Sequence, residues 1–211
     1  MKVPIIVIGG GGHARVLMDI LLMTNCEILG VTLPHSETET VLDAPVLGQD
    51  QQILHHSPNE VMLVNAIGYV GRSRKRINIY HFFKERGYRF HTVIHPSAII
   101  SSYTQLGEGV QIMAGAILQA GTSVGCNAVV NTKASVDHDC WVGAHTHIAP
   151  GSTLCGHVRL GEESFVGAGA VLLPHKEVGN RCTIGAGSVV VKDVPDDTVV
   201  MGVPAEEGKH E

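Results

Sequence analysis

Aromatic residues are scarce in this chain. Its 211 residues include one tryptophan, four tyrosines and four phenylalanines, which together are 4% of the sequence, but 25 glycines. A compact α/β domain of this length normally uses more aromatic bulk in its core. A substantial part of the chain is therefore expected to pack through small side chains.

The sequence also lacks an excess of positive charge and a long apolar run. Fifteen lysines and arginines stand against twenty aspartates and glutamates, and the net charge of −5 gives no positive field of the kind that nucleic acids or anionic bilayers select. The apolar run at 3–8 is too short for a signal peptide, and no stretch approaches the roughly 20 apolar residues of a membrane span. We expect a soluble cytoplasmic protein that binds neither nucleic acid nor membrane.

Cysteine pairs that would indicate a disulfide framework or a structural zinc site are absent as well. The five cysteines are an odd number, lie far apart and form no C-x-x-C pair. They are Cys26, Cys126, Cys140, Cys155 and Cys182. Neither disulfides nor a metal cofactor are expected.

A six-residue period fills the second half of the chain. Every sixth residue is isoleucine, leucine or valine at seventeen consecutive positions: Ile94, Ile100, Leu106, Ile112, Leu118, Val124, Val130, Val136, Val142, Ile148, Leu154, Leu160, Val166, Leu172, Val178, Ile184 and Val190. The fourth residue after each is usually small, with Lys176 as an exception, and glycine often follows directly, which suggests a tight corner. This period is typical of a parallel β-helix built from hexapeptides, and it predicts between five and six triangular coils.

The first ninety residues follow a different pattern. Residues 3–8 predict a buried parallel strand, and the glycines of 9–12 lead directly into an apolar-periodic helix over 13–23. The stretch from Gly9 to Ala14 fits G-x-G-x-x-G/A, in which backbone N–H groups at a helix N-terminus face a phosphate. This fingerprint is a weak signal when it stands alone.

The segments after this motif complete only half of a Rossmann domain. The second strand ends at 32–34 without the acidic residue of a complete NAD site, so NAD is disfavoured. A strand at 61–68 and a basic amphipathic helix at 71–86 are predicted, and such a half domain can hold a mononucleotide such as the nucleotide part of an activated sugar. The first cations of this helix are expected in its solvated first turns, with contact to a phosphate as the alternative; they are Arg72, Arg74 and Lys75.

One stretch of the repeats combines charge with imidazoles. Residues 137–141 read Asp-His-Asp-Cys-Trp and hold the only tryptophan. A histidine beside a carboxylate is suited to general-base work, so His138 is the candidate base, with simple exposure on the prism as the alternative. His145 is interpreted as a surface or coil-contact residue. Cys140, in the small inward position, is interpreted as a packing residue and not as a nucleophile.

Four features together resemble the NeuD/PglD family of bacterial sugar acyltransferases, and the similarity covers nearly the whole chain. They are the short glycine-rich N-terminal unit, IHPSA at 94–98, the NT…S-V-x-H-[DE]-C run at 131–140 and GVPA at 202–205. The resemblance implies a Rossmann-like nucleotide-sugar-binding α/β domain at 1–91. A left-handed parallel β-helix acetyltransferase domain would follow at 92–211.

The resemblance also implies roles for particular residues. His138 would be the base, and Asp139 would increase its basicity. The residues implied to contact acetyl-CoA are His147, near the thioester, and Gly156, Ala168 and Ala186, in successive coils. Those implied to bind the nucleotide sugar are Gly11, Gly12, His13 and Gly68. The expected assembly is a homotrimer with acetyl-CoA in the groove between neighbouring subunits.

The sequence departs from the family pattern in two places. Many members carry acidic residues after the second strand to hold the base or ribose, whereas this chain has only Pro34 after Leu33. The tail after Ala205 is unusually acidic. The nucleotide, whether UDP, dTDP, GDP or CMP, is left open.

The resemblance favours acetyl-CoA-dependent N-acetylation of a nucleotide-linked amino-deoxy sugar, at its C4 amine, in bacterial surface glycan or glycoprotein synthesis. O-acetylation of sialic acid or a related sugar competes with it, because the sequence does not distinguish an amine from an alcohol. A catalytically silent scaffold and a zinc lyase like the γ-type carbonic anhydrases also stay open. The lyase would draw its ligands from His138, His145, His147 and His157.

Small outer residues would let three prisms pack side by side; they are Ala114, Gly115, Ala116, Ala120 and Gly121.

Overall fold

The computed structural model describes residues 3–34, 39–68 and 74–208. The chain divides into two compact units, Met1–Pro96 and Ser97–Glu211. Arg72 and the last three residues of the acidic tail lie outside the described residues. No helix in the described ranges is long and apolar enough to cross a membrane.

The first unit contains a five-stranded sheet. Its elements are β1 (Ile5–Ile8), α1 (Gly12–Met23), β2 (Ile28–Thr32), β3 (Thr40–Val41), β4 (Ala44–Gly48), the 3₁₀ helix η1 (Asp50–His55), β5 (Met62–Asn65), α2 (Lys75–Lys84) and β6 (Val93–Ile94). The strand order is β3-β4-β2-β1-β5, in which β3 and β4 are antiparallel and the other neighbours are parallel. All four residues of β1 are buried, as a central parallel strand covered on both faces requires.

The sequence predictions for this unit correspond to β1, α1, β5 and α2, although the described part of the second helix begins only at Lys75. The β3–β4 hairpin and η1 were not predicted. The strand β3 has only two residues, β4 contains Pro45, which disfavours a strand, and η1 is too short to show a helical period. Arg76 of α2 is buried and donates hydrogen bonds to the carbonyls of Asn65 and Ile67, while the Asn65 amide donates to the Arg76 carbonyl. Burial lowers the pKa of Arg76 to about 9. These bonds fasten α2 to the end of β5.

The second unit is a solenoid of two-residue strands. They are β7 (Ile99–Ile100), β8 (Gln105–Leu106), β9 (Gln111–Ile112), β10 (Ile117–Leu118), β11 (Ser123–Val124), β12 (Val129–Val130), β13 (Ser135–Val136), β14 (Trp141–Val142), β15 (His147–Ile148), β16 (Thr153–Leu154), β17 (Arg159–Leu160), β18 (Phe165–Val166), β19 (Val171–Leu172), β20 (Glu177–Val178), β21 (Thr183–Ile184), β22 (Val189–Val190), β23 (Val199–Met201) and β24 (Glu206–Glu207). From β6 to β22, the second residue of every strand is one of the seventeen predicted aliphatic positions. The hexapeptide prediction is confirmed.

Three parallel sheets form the sides of the prism. The first contains β7, β10, β13, β16, β19 and β22, the second β8, β11, β14, β17 and β20, and the third β9, β12, β15, β18, β21 and β23. From β7 to β22, strands pair at a constant offset of eighteen residues, for example Val136 with Leu154 and Val142 with Leu160. The last pair, β21 with β23, has an offset of sixteen residues, with Ile184 opposite Val200. The fold is the expected left-handed β-helix. At the C-terminal end of the third sheet, β24 pairs antiparallel with β23 and covers the edge of that sheet.

The prism interior consists of the repeated aliphatic residues and the small residues four positions later. Every aliphatic position from Ile112 to Val190 is buried. Glycine after an aliphatic residue is required by coil stacking and not by a tight corner as expected. A Cβ on Gly125 would lie 2.4 Å from the Ala144 nitrogen, and one on Gly143 would lie 2.6 Å from the Glu162 nitrogen.

The corners are made by the third residue after each aliphatic position. This residue has positive φ in fourteen successive hexapeptides, from Gly109 to Gly187, and eight of the fourteen are not glycine. The eight are Asn127, Lys133, Asp139, His145, His157, Glu163, His175 and Arg181. Because coils repeat after eighteen residues, these residues stand in three columns along the edges of the prism.

Candidate active site

His138 and Asp139 lie at the edge that joins the first and second sheets, between β13 and β14. We call this edge the histidine corner. Its left-handed column contains Gly121, Asp139, His157 and His175, and the column of preceding residues contains Ala120, His138, Gly156 and Pro174. The corner therefore stacks successive imidazoles around one carboxylate.

The carboxylate of Asp139 orients the His138 ring. His138 Nδ1 lies 2.9 Å from Asp139 Oδ2, and the two side chains are 53% and 52% exposed. Because a carboxylate only accepts hydrogen bonds, Nδ1 is the protonated nitrogen and Nε2 presents its lone pair. The hydrogen bond to Asp139 is the main cause that raises the pKa of His138, and the charges of Asp137 and Asp139 add to it. The geometry is that of an oriented general base.

Gly156 lies directly beneath the His138 ring. A Cβ at this position would lie 2.6 Å from His138 Nε2, so only glycine leaves room for the imidazole. In each hexapeptide, the second residue after the aliphatic position does not use its N–H in the backbone hydrogen bonds that join successive coils. At His138 the side chain of Asp137 accepts it, and at Glu162 that of Asn180 does. Within the described residues, nothing accepts a hydrogen bond from the Gly156 N–H.

His157 and His175 form one cluster with the candidate base, and this cluster was not predicted from the sequence. His157 Nε2 lies 3.7 Å from Asp139 Oδ2, and the rings of His138 and His157 pack edge to face at 5.1 Å. His175 stacks on His157 with ring centroids 4.7 Å apart and planes at 8°. Adding eighteen to 139, and again to 157, would have located both. The sequence alone indicates His157 only as a candidate zinc ligand.

Cys140 is a packing residue, as expected. It is buried, its thiol donates to the Cys155 carbonyl at 3.1 Å, and burial raises its pKa to about 11. A thiol with so high a pKa is a poor nucleophile.

The remaining candidate histidines of the repeats lie away from His138. His145 is at the edge between the second and third sheets, where its Nδ1 lies 2.9 Å from the Asn127 amide nitrogen. His147 begins β15 of the third sheet, the side opposite the histidine corner, and its Nε2 lies 3.3 Å from the Asn131 amide nitrogen. Within one chain, the four histidines suggested for a zinc lyase do not converge.

The residues assigned to acetyl-CoA also separate into different edges. Ala168 and Ala186 are exposed and stand one coil apart at the edge between the third and first sheets. We call this edge the glycine corner, because Gly151, Gly169 and Gly187 follow one another there, and a Cβ on any of them would meet nothing within 4 Å. Gly156 belongs to the histidine corner, so it does not stand in the column of Ala168 and Ala186. From Gly151 to Gly187, the glycine corner is an open surface without large protruding side chains.

The residues assigned to the nucleotide sugar lie at the carboxyl ends of β1 and β5. Gly11, the N-cap of α1, and Gly12, its first residue, are exposed, and a Cβ on either would meet nothing within 4 Å. A Cβ on Gly68 would lie 3.6 Å from Cβ of His13, so the two segments are neighbours. The structure therefore brings all four residues to one edge of the sheet, where ligands of open α/β sheets bind.

An acidic residue from another segment lies next to the end of β2, although the residues that follow β2 in the sequence are not acidic. The hydroxyl of buried Thr32 donates to Asp50 Oδ1 at 2.7 Å, and Asp50 comes from the start of η1. Asp50 also lines an open cavity of about 590 Å³ with the exposed Arg74 and Lys75. No local sequence signal could have located Asp50, because a hairpin separates it from β2.

Comparisons with known proteins agree with this fold. Residues 4–81 match the PglD N-terminal domain and residues 157–192 match the bacterial transferase hexapeptide. The acetyltransferase domain of PglB from Neisseria gonorrhoeae FA1090 is 35% identical, with 98% of this chain and 100% of that chain covered and a TM-score of 0.88. PerB from Caulobacter crescentus, whose structure contains CoA and GDP-perosamine, is 37% identical, with 98% and 97% covered and a TM-score of 0.89. WeeI from Acinetobacter baumannii AYE shares the fold at 22% identity, 97% and 99% coverage and a TM-score of 0.86.

The solenoid and these matches thus define an acyltransferase of the hexapeptide class. More narrowly, the chain belongs to the NeuD/PglD-type family of sugar acetyltransferases.

Proposed function

We propose that this enzyme transfers the acetyl group of acetyl-CoA to the C4 amine of a nucleotide-linked amino-deoxy sugar, with His138 as the general base. The observation that carries the proposal is the oriented His138–Asp139 pair above Gly156. Two similar structures support the donor and the acceptor class. The PglB domain has been solved with acetyl coenzyme A, and PerB with CoA and GDP-perosamine.

His138 Nε2 would accept the proton that the amine loses as it attacks the thioester. An ammonium ion has no lone pair, so the acceptor reacts as the neutral amine. As the N–C bond forms, the amine nitrogen loses a proton to Nε2 of His138. Asp139 stabilises the resulting imidazolium through the 2.9 Å hydrogen bond. The C–S bond then breaks, and the imidazolium returns the proton to the departing CoA thiolate. All atoms and charges balance in this direct transfer.

The Gly156 N–H would stabilise the oxyanion of the tetrahedral intermediate. It lies next to the base, and no acceptor within the described residues takes its hydrogen bond. A backbone N–H with this freedom is a preorganised donor, which is worth most where charge develops. It costs no side-chain ordering.

We propose a homotrimer in which neighbouring chains share each site, and the separation of the two corners supports this arrangement. The base lies at the histidine corner, and Ala168 and Ala186 lie at the glycine corner, one side of the prism away. A side of six residues measures at most about 20 Å. If neighbouring prisms pack side by side, the glycine corner of one chain can face the histidine corner of the next. The open glycine corner would then hold the extended cofactor, with His147 of a chain near its thioester end.

The nucleotide sugar is assigned to the first unit. The N–H groups at the start of α1 and the backbone near Gly68 would face its phosphates. Asp50, at the end of β2, is placed to accept hydrogen bonds from the ribose or the base. We propose these contacts in place of the acidic pair that follows the second strand in many relatives.

Incubation with acetyl-CoA and a panel of UDP-, dTDP-, GDP- and CMP-linked sugars tests the proposal. Each sugar is supplied as its 4-amino form and as the matching 4-hydroxy form, and products are identified by mass. We expect acetylation of the amino forms of one nucleotide series. Turnover confined to hydroxyl acceptors, or no acetylation of any sugar, would overturn it.

A further inference from the structure

The second histidine of the histidine corner completes a set of three metal-ligating side chains. His138, Asp139 and His157 present ligand atoms that all lie within 4.8 Å of one another, and all three side chains are exposed. Two imidazoles and a carboxylate are one of the sets of three protein ligands that zinc takes at sites with a fourth position for water. The proposed acetyl transfer assigns no part to His157.

The distances suit a small tetrahedral ion. Ligand atoms roughly 2.0–2.1 Å from a tetrahedral zinc lie about 3.3 Å from one another. Asp139 Oδ2 lies 2.9 Å from His138 Nδ1 and 3.7 Å from His157 Nε2, so small shifts of exposed side chains would equalise them. The parallel stack of His175 on His157 limits the orientations of that ring, which lowers the entropy lost on coordination.

We propose that His138, Asp139 and His157 bind one divalent transition-metal ion, with zinc as the best match, and that this ion inhibits the enzyme. The inhibition rests on the function proposed above. A metal on Nδ1 requires that nitrogen to be unprotonated, so the single proton of the neutral ring moves through solvent to Nε2. Nε2 is then a donor and can no longer accept the proton of the amine. Acetyl transfer would stop although the acceptor site itself is open.

Zinc binding to the full-length protein tests this site directly. The variant is His157→Gly, because His157 has φ +61 and glycine suits that conformation. The matched control is His145→Gly, which changes a histidine of the same φ on another edge. Affinity is measured by competition with a chromophoric zinc chelator, and folding is checked by circular dichroism. We expect one zinc per chain in the wild type, at least tenfold weaker binding in His157→Gly, and less than a twofold change in His145→Gly.

Inhibition is measured separately. The turnover of each variant with zinc is divided by its own turnover with a chelator, so no assumption about basal activity is needed. We expect zinc to inhibit the wild type, His157→Gly to require at least tenfold more zinc, and magnesium, which prefers oxygen ligands, to have no effect. Equal zinc affinity in the wild type and His157→Gly, or loss of affinity only in His145→Gly, would overturn the site. If no sugar is acetylated, the binding measurement still decides the metal site, and only the proposed function fails.

Discussion

The imidazole of His138 occupies the space that a side chain on Gly156 would need. An alanine Cβ at position 156 would lie 2.6 Å from Nε2 and 2.7 Å from Cε1 of the ring. Coil stacking creates this relationship, because the two residues are eighteen apart and hold the same place in successive coils. One glycine thus makes room for the base and offers an unused N–H beside it.

Gly156→Ala should impair catalysis far more than folding. Alanine occupies the equivalent hexapeptide position at Ala144 and Ala168, so the backbone tolerates it, and only the His138 ring is displaced. A shift of this size in a catalytic group lowers kcat roughly 100-fold. Steady-state kinetics and urea unfolding of the same preparation would show this difference. A kcat within threefold of wild type would contradict the placement of the base above Gly156.

Asp139→Asn should move the acid limb of the pH profile of kcat/KM to lower pH. The base works only when it is unprotonated. Because the pKa of His138 is raised above the ordinary histidine value of 6.5, the acid limb lies above pH 6.5. Without the carboxylate the pKa falls, so the limb shifts toward acid while the plateau rate falls roughly 10–100-fold.

Asp137→Asn is the matched control for this shift. The Asp137 carboxylate accepts the His138 backbone N–H and contributes only its charge to the ring. Its shift should be in the same direction but smaller. A larger shift in Asp137→Asn than in Asp139→Asn would show that the Nδ1 hydrogen bond does not set the basicity of His138.

Cys140→Ala should leave turnover within twofold of wild type. The thiol is buried with a pKa of about 11, so an acetyl-cysteine intermediate is not expected. Loss of the buried sulfur costs about 1 kcal/mol of unfolding free energy. Quenched reactions examined by mass spectrometry should contain no acetylated chain, whereas an acetyl group on wild-type Cys140 that is absent from the variant would establish the covalent route.

The solenoid could be predicted almost completely because its geometry is periodic. A six-residue period places Val136 and Leu154 inside the prism, and the same arithmetic places Gly156 beneath His138 and His157 next to Asp139. The left-handed conformation of the corners was not predicted, because eight of the fourteen corner residues are not glycine, and aspartate and histidine favour this conformation much less strongly than glycine does. The Thr32–Asp50 contact was hidden for a different reason: it joins two segments across a hairpin that follows no period.

Gly12→Asp should weaken binding of the nucleotide sugar while preserving or improving stability. The first turn of α1 has no acidic residue, and a Cβ on Gly12 meets nothing within 4 Å. An aspartate there interacts favourably with the helix dipole by about 0.5 kcal/mol, but it places a negative charge where phosphate is expected. We expect the KM for the nucleotide sugar to rise at least tenfold and the KM for acetyl-CoA to stay unchanged.

Gly12→Asn controls for the size of the new side chain, because asparagine has the same shape without the charge. Its KM for the nucleotide sugar should rise much less. Thermal unfolding of both variants should occur at or above the wild-type temperature. Equal KM values in Gly12→Asp and Gly12→Asn would mean that no phosphate lies near the start of α1.

Mixed trimers should recover activity from two inactive chains if neighbouring subunits share each site. One chain carries His138→Ala, and the other carries Ala168→Trp, which places a bulky ring on the exposed glycine corner. In a cyclic trimer assembled at random from equal amounts, about one quarter of the sites combine an intact His138 with an intact neighbouring glycine corner. Activity should therefore approach a quarter of the wild-type value after mixing, with assembly verified by native mass spectrometry. A chain carrying both substitutions, mixed with His138→Ala chains, should recover nothing because no His138 is present. If the two single variants form mixed trimers that remain inactive, while wild-type chains treated in the same way keep their activity, each site is built from one chain.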